Sequence, residues 1–286
     1  RVGDRHYSDI SFVRAKDLTP IAVDIPTNVV LKNKLFNQDI FEYDSSKESC
    51  QLYHSSIRSM PVIPAVLVLE GRRTYGKWKG RKSLFKCVPD DKRLPVFLVP
   101  YAIKNTFNKR TFNKYTVIKF HSWEKNHPIA TLVQTIGDVN QLENFYEYQL
   151  YCKSLYASIQ DFKKETMKKI KNQTEEEFID AIVLKYKPED RRDRDIFTID
   201  PETSKDFDDA IGMKNDSLNT VLSIYIANVP FWLDALDLWG SFSERISTIY
   251  LPDRKRPMLP TVLSDALCSL QEKRQRFAFT VDITFN

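Results

Sequence analysis

The chain has 286 residues, with 43 Lys and Arg against 38 Asp and Glu, a formal net charge of +5 and a pI near 8.8. That length suits two or three domains of roughly 100–200 residues each. No run approaches the about 18 apolar residues of a membrane-crossing helix, and no charged-then-apolar signal opens the chain, which argues against a helical membrane protein and a secreted one. An intracellular protein, of cytoplasm or nucleus, is expected. Cys50, Cys87, Cys152 and Cys268 are scattered with no CxxC pair. Their spacing argues against both a zinc site and a disulfide framework, and they are read as buried or inert thiols.

The first segment, to about Met60, is the least informative. Short strands are expected at Ile21 to Ile25, Asn28 to Leu31 and Leu35 to Tyr43. The chain opens on Arg1 and not on methionine, which suggests a processed product or a fragment of a longer reading frame.

From Pro61 to Asn144 strand signals dominate. Val66 to Glu70 is an apolar strand that enters GRRTYGKWKGRK, in which Arg72, Arg73, Lys77, Lys79, Arg81 and Lys82 surround Tyr75 and Trp78. Cations interleaved with aromatics suit single-stranded RNA, because every base offers a face to stack on while the cations track phosphates. An exposed hairpin with charged flanks fits the same residues. A second patch runs from Lys104 to Tyr115 and carries Phe107, Lys109, Arg110, Phe112 and Lys114; an ordinary long loop fits it equally. Thr116 to Trp123 alternates as a strand, and Ala130 to Ile136 is a β-rich run ended by Gly137. A five-stranded barrel is the economical fold for so many short strands. His121 and His127 have no carboxylate or cysteine at ligand spacing and are read as structural.

Leu142 to about Tyr186 reads as helical. Thr174 and Glu177 form a capping box, Phe178, Ile179, Ile182 and Tyr186 recur on one face, and Pro188 stops the helix. Glu189 to Asp195, EDRRDRD, reads as a solvated connector.

Ile196 to Gly212, IFTIDPETSKDFDDAIG, places Asp200, Asp206, Asp208 and Asp209 within ten residues. Phe197 to Ile199 has strand character and Pro201 ends it, so Asp200 is expected at a strand tip with the other three carboxylates looping back towards it. Converging carboxylates raise one another's pKa or recruit a hard cation such as Mg²⁺ or Mn²⁺. A solvated acidic loop is the alternative, and the apolar anchors Phe197, Ile199, Phe207, Ala210 and Ile211 speak against it. A basic body around an acidic centre is what a nuclease needs, although the net charge alone does not require one.

Leu222, Ile224 and Ile226 alternate as a strand. Leu236, Trp239, Phe242, Ile246 and Ile249, at steps of three and four, predict a helix that Tyr250 closes. Phe277, Phe279, Val281, Ile283 and Phe285 predict a last strand with one apolar face.

The acidic pattern D, five residues, D, one residue, D, D resembles the first catalytic motif of the RNase II and RNase R family, the RNB-domain exoribonucleases. Thr248 to Ile283, TIYLPDRKRPMLPTVLSDALCSLQEKRQRFAFTVDI, resembles the family segment from the active-site tyrosine through PMLP and LCSL to a core strand. Asp90 to Pro100 and Thr116 to Glu143 are similar to the second cold-shock-like domain of the family, particularly that of its eukaryotic exosome-nuclease branch. Tyr225 and Asn228 stand where the family usually shows a histidine and an aspartate.

The resemblance implies an α+β fold: OB-like (cold-shock-like) β-barrel modules, a helical linker and the start of an α/β RNB catalytic domain. The expected division is 1–60, a partial first OB-like domain; 61–145, a second one; 146–190, the linker; and 191–286, the N-terminal part of the RNB domain, with its remainder and an S1 domain lacking. The implied activity is metal-assisted hydrolysis of single-stranded RNA from its 3′ end to nucleoside 5′-monophosphates. Asp200, Asp206, Asp208 and Asp209 would hold Mg²⁺ or Mn²⁺, with Asp208 the one whose loss stops chemistry. Tyr250 would pack on the nucleotide beside the scissile bond, and Arg254, Lys255 and Arg256 would line the RNA channel. Arg72, Arg73, Lys77, Trp78 and Lys79 are the further RNA-binding candidates. An exosome-like complex is an implied partner; neither a membrane nor a small-molecule cofactor is. The rival from another class is an RNA-binding protein that kept the fold without turnover. The DEDD nuclease pattern, an Asp and a Glu two residues apart, is not met.

Overall fold

Before Pro61 regular structure is sparse: a short helix α1 (Asn28–Lys32), a hairpin of β1 (Ile40–Asp44) and β2 (Ser49–His54), and a single turn α2 (Ser56–Ser59). The computed structural model describes residues 1–21, 25–103, 111–215 and 219–285. They form two compact units, residues 1–156 and 157–286.

Two strand expectations in this opening segment are corrected. Asn28 to Leu31 is helical because Val29 and Val30 are both buried and the following Asn33 closes the turn, its backbone and side-chain N–H groups both donating to the Val29 carbonyl. Burial here overrides the β preference of a Val pair. Leu35 to Gln38 is not strand either: Lys34 and Gln38 adopt left-handed φ values of 57° and 64°, and Asp39 Oδ2 accepts the Phe36 N–H at 2.9 Å. Part of the Ile21 to Ile25 expectation lies outside the described residues.

The barrel follows from β3 (Ile63–Leu67), β4 (Lys77–Trp78), β5 (Lys82–Pro89), β6 (Phe97–Tyr101), β7 (Lys114–Ser122) and β8 (Ile129–Asp138). The order β3-β7-β8-β6-β5, with β5 returning to pair with β3, closes five strands, and β4 hangs on β5. Closure leaves no open edge among the five. Ile63, Ala65 and Leu67 point inward from β3 in the two-residue period of a strand and meet Cys87, Phe97, Val99, Ile118 and Ala130. Val2, Tyr7, Val30, Phe36 and Ile57 from the opening segment join the same core. Phe36 stacks on Phe97, with ring centroids 6.0 Å apart, and packs 4.8 Å from Trp123. Fully burying such a side chain is worth about 1.5–3 kcal/mol, so the opening segment is held to the barrel by its apolar contacts. A helix α3 (Leu142–Cys152) ends the unit, Tyr148 stacking on Tyr115 at 4.4 Å.

The second unit begins with α4 (Gln160–Ile170) and α5 (Glu175–Tyr186). The capping box forms as expected: Thr174 Oγ1 accepts the Glu177 N–H at 3.3 Å, and Glu177 Oε2 accepts the Thr174 N–H at 2.8 Å. Lys187, at φ 47°, and Pro188 end that helix. An antiparallel sheet follows from β9 (Ile196–Phe197), β10 (Asp209–Asn215) and β11 (Thr220–Ala227). Next come α6 (Val229–Ala235), a small hairpin of β12 (Ile249–Tyr250) and β13 (Lys255–Arg256), and the last strand β14 (Ala278–Phe285), giving the sheet order β14-β11-β10-β9. Trp232, Leu233, Leu236, Leu259, Leu263 and Phe277 form the core with Phe162, Phe178 and Ile182 of the helices.

Three readings change here. The helix expected from Leu236 to Ile249 does not form, because α6 ends at Ala235: Asp237 turns left-handed at φ 50°, and the Leu238 N–H donates to the Leu233 carbonyl at 2.8 Å, the helix-ending bond of a Schellman turn. The steps of three and four therefore belong to a 3₁₀ turn at Trp239–Ser241 and extended chain, and Ile246 is 86% exposed. Phe277 lies outside the last strand and is buried against Trp232; Phe279, Val281, Ile283 and Phe285 occupy the sheet face and are exposed. The connector before β9 is more than a solvated linker, since Arg191 grips Asp282 of β14 with both guanidinium nitrogens at 2.8 and 2.9 Å. Burial lifts the thiols of Cys87 and Cys268 to about 12, as expected of inert cysteines. No helix among the described residues is long and apolar enough to cross a membrane.

Candidate active site

The acidic loop joins β9 to β10. Pro201 accepts the Ser204 N–H at 2.9 Å in a turn that reverses the chain, so Asp200 lies beyond the short β9 and Asp206 to Asp209 return towards it. Asp209 begins β10 opposite Ile226, and the Asp208 carbonyl accepts the Ala227 N–H at 2.8 Å. One residue that the sequence reading passed over fixes this geometry. Ser269, fully buried, donates its hydroxyl to the Lys205 carbonyl at 3.0 Å and accepts the Phe207 N–H at 3.0 Å. Next to it, the Leu270 N–H donates to the Phe207 carbonyl at 2.9 Å. The signal was present in LCSL, whose serine stands in an otherwise apolar run.

The carboxylates act on one another. Partial burial pushes Asp208 above the ordinary carboxylate range, and the charges of Asp206, Asp209 and Asp200 push the same way. Burial also favours the neutral form of Asp206, but a hydrogen bond and charge from Lys255 outweigh it and hold that carboxyl below the usual range. Lys255 Nζ lies 3.0 Å from Asp206 Oδ2 and 3.6 Å from Asp265 Oδ1. Asp265 comes from a π-turn at Leu263–Leu267, a type of irregularity often met at functional positions. Sequence reasoning placed Lys255 in an RNA channel and did not bring it to the aspartates.

Tyr250 pairs with Lys255 across the β12–β13 hairpin and is 73% exposed, its ring open to solvent. Arg254 is exposed and sits beside Asp253, with Nε 3.7 Å from Oδ2. Arg256 is withdrawn from the surface, 7% exposed and bound to both oxygens of Asp253 at 2.9 Å, so it locks the hairpin instead of lining an RNA channel. Asn228 caps α6 by accepting the Phe231 N–H at 3.2 Å, and Tyr225 is buried in the sheet; neither joins the acidic loop.

Four carboxylates have the donor chemistry of a hard divalent cation. Their arrangement is another matter: among the described residues no three Asp, Glu, His or Cys side chains stand together as a ligand set. The cation that touches the loop is Lys255.

In the first unit the basic hairpin is formed by β4 and the start of β5. Lys79 and Gly80, at φ 46° and 72°, make its turn, a left-handed pair that glycine eases. Trp78 is half-buried, edge-on to His121 at 5.2 Å, with Lys79 Nζ 5.7 Å from its centroid. Arg73 and Lys86 lie 5.3 and 4.9 Å from the Tyr75 ring, and Arg72, Arg73 and Lys77 are exposed. Of the second basic patch, residues 104–110 lie outside the described residues. Lys114 is committed to Asp138 and Tyr115 to Tyr148.

Barrel and sheet units of this kind define an α+β protein that joins a cold-shock-like OB domain to an aspartate-loop domain. Residues 84–148 match the Dis3-like cold-shock domain 2 (CSD2), and residues 188–286 match the RNB domain. These matches make the chain similar to the RNB-domain ribonucleases over its last third and to a Dis3-like cold-shock domain within its barrel. It is 30% identical over 238 residues to Ribonuclease R of Thermotoga maritima, spanning 79% of this chain and 32% of that protein. It is 28% identical over 224 residues to DIS3-like exonuclease 2 of Schizosaccharomyces pombe, spanning 72% of this chain and 23% of that protein. The chain spans about a quarter or less of the length of the first curated relatives it matches. Its fold is similar to that of Mycoplasma genitalium RNase R in complex with ribose methylated single-stranded RNA, with a TM-score of 0.61 at 22% identity over 83% of this chain and 35% of that one. It is also similar to that of yeast Ssd1, a pseudonuclease, with a TM-score of 0.52 at 18% identity over 90% of this chain and 31% of that one.

Proposed function

We propose that the chain carries the acidic centre of a 3′-to-5′ exoribonuclease that hydrolyses single-stranded RNA to nucleoside 5′-monophosphates. The observation that carries this reading is the turn at Pro201 that brings Asp206, Asp208 and Asp209 back to the start of β10, with Tyr250 presented on the hairpin whose Lys255 touches Asp206. In the reaction water adds its hydroxyl to phosphorus, the P–O3′ bond breaks, and the leaving O3′ takes up the proton. Asp200, Asp206, Asp208 and Asp209 are the residues that would hold Mg²⁺ or Mn²⁺, which when bound lowers the pKa of a water and offsets charge on the phosphate oxygens.

The chain's own side chains supply position and charge. The exposed Tyr250 ring offers a face on which a terminal base stacks. Ser269 keeps the loop carbonyls and N–H groups occupied, so the carboxylates stay where the turn aims them. Arg254 adds positive charge to the same hairpin, and in the barrel unit Arg72, Arg73, Lys77 and Lys79 track phosphates while Trp78 stacks on a base.

A second reading, RNA binding without turnover, is favoured by one observation: the ammonium of Lys255 occupies Asp206 of the acidic loop. Single-stranded RNA labelled at either end separates the two. With Mg²⁺ present, the nuclease reading expects 5′-labelled RNA to shorten stepwise and 3′-labelled RNA to release labelled mononucleotide at once. Stoichiometric binding with no shortening, by a preparation that binds Mg²⁺ in calorimetry, supports the second reading.

A further inference from the structure

Lys255 has the surroundings of a bound cation. Its Nζ lies between Asp206 Oδ2 at 3.0 Å and Asp265 Oδ1 at 3.6 Å, two carboxylates from segments far apart in sequence. All three side chains are shielded: Lys255 is 32% exposed, Asp206 26% and Asp265 22%. The backbone that presents the ammonium is fixed, because Arg256 is buried on Asp253 and Lys255 is paired with Tyr250. Asp265 is oriented by the Ser264 hydroxyl, which donates to its Oδ1 at 2.5 Å. Without this ammonium, Asp206 would face Asp208 and Asp209 with no counter-charge in contact. Like charges repel more strongly in such a partly shielded place than in bulk water.

We propose that Lys255 is the resident counter-ion of the acidic loop, holding Asp206 in a cation-free arrangement from which a divalent metal must displace it. The proposal rests on the metal reading of the loop only for its second half. A cation that binds Asp206 takes the oxygen the ammonium holds, so metal and lysine compete.

Two measurements on the whole chain, with Lys255→Met and Lys255→Arg, test it. In EDTA at low ionic strength, Lys255→Met should melt below the parent and Lys255→Arg close to it, and adding Mg²⁺ should restore Lys255→Met further than NaCl of equal ionic strength does. By calorimetry, Mn²⁺ should bind Lys255→Met about two- to fivefold more tightly than the parent, the factor that a partly exposed ion pair carries. Equal or weaker Mn²⁺ binding by Lys255→Met overturns the competition. An unchanged melting temperature in EDTA overturns the counter-ion role itself. If neither the parent nor either variant binds Mn²⁺, the metal reading of the loop is lost, and the EDTA melting still decides whether Lys255 holds the loop.

Discussion

The Ser269 hydroxyl accepts the Phe207 N–H at 3.0 Å while donating to the Lys205 carbonyl at 3.0 Å, tying the acidic loop to a segment more than sixty residues later in the chain. A buried hydroxyl that serves two backbone partners is expensive to remove, since both partners are left unsatisfied. Ser269→Ala should destabilise the protein by about 1–3 kcal/mol, seen as a lower urea midpoint with an unchanged slope. It should also weaken divalent-cation binding, although both of these hydrogen bonds go to the loop backbone and not to a carboxylate. A variant as stable as the parent would show that the loop holds its shape without the clamp.

At the carboxylates themselves, Asp208→Asn removes the charge that its neighbours oppose most. It should leave RNA affinity within about twofold and abolish shortening of the strand, as read on labelled RNA. Asp200→Asn with Asp209→Asn should abolish Mg²⁺ binding in calorimetry. Undiminished binding in that double variant would remove the metal from this loop.

For the barrel hairpin, replacing Arg72, Arg73, Lys77 and Lys79 with alanine should weaken binding to unstructured RNA of any sequence. The plot of log affinity against log salt should flatten by roughly 0.7 for each phosphate of a single strand that is no longer neutralised. Trp78→Ala should cost about 1–3 kcal/mol of RNA binding if a base stacks there. An unchanged salt slope would return these cations to the role of a solvated hairpin.

The pH dependence of stability should carry the mark of Asp282. Hydrogen bonds from Arg191 and from Ser223 draw its carboxyl down to about 2, against about 3.9 for an aspartate in an unfolded chain. A folded pKa below the unfolded one gives stability that is complete above about pH 4 and is lost as pH falls through about 2. The difference in unfolding free energy between the parent and Asp282→Asn should therefore be constant near neutrality and shrink between about pH 4 and about pH 2. Urea titrations at several pH values measure it, and a difference that does not change across that window would leave the Arg191 pair without a role in stability.

Much of this protein was legible in its residues because the signals were local. The barrel strands, the capping box of Thr174 and Glu177, the stop at Pro188 and the acidic pattern depend on alternation, caps and short spacing, which the chain carries within a few positions. Where local signals misled, tertiary contacts had won: Val29 and Val30 became helical once both were buried, and the helix expected after Leu236 was cut by Asp237 in a left-handed turn. The site divided in the same way. Spacing placed the four aspartates in one loop between β9 and β10, but among the described residues it did not make them a ligand set. Lys255 and Ser269 could not be placed there by spacing. Each reaches the loop across roughly fifty or sixty residues, by a hairpin pairing and a buried hydroxyl respectively, and only the packed fold decides that an ammonium, Asp206 and Asp265 share one place.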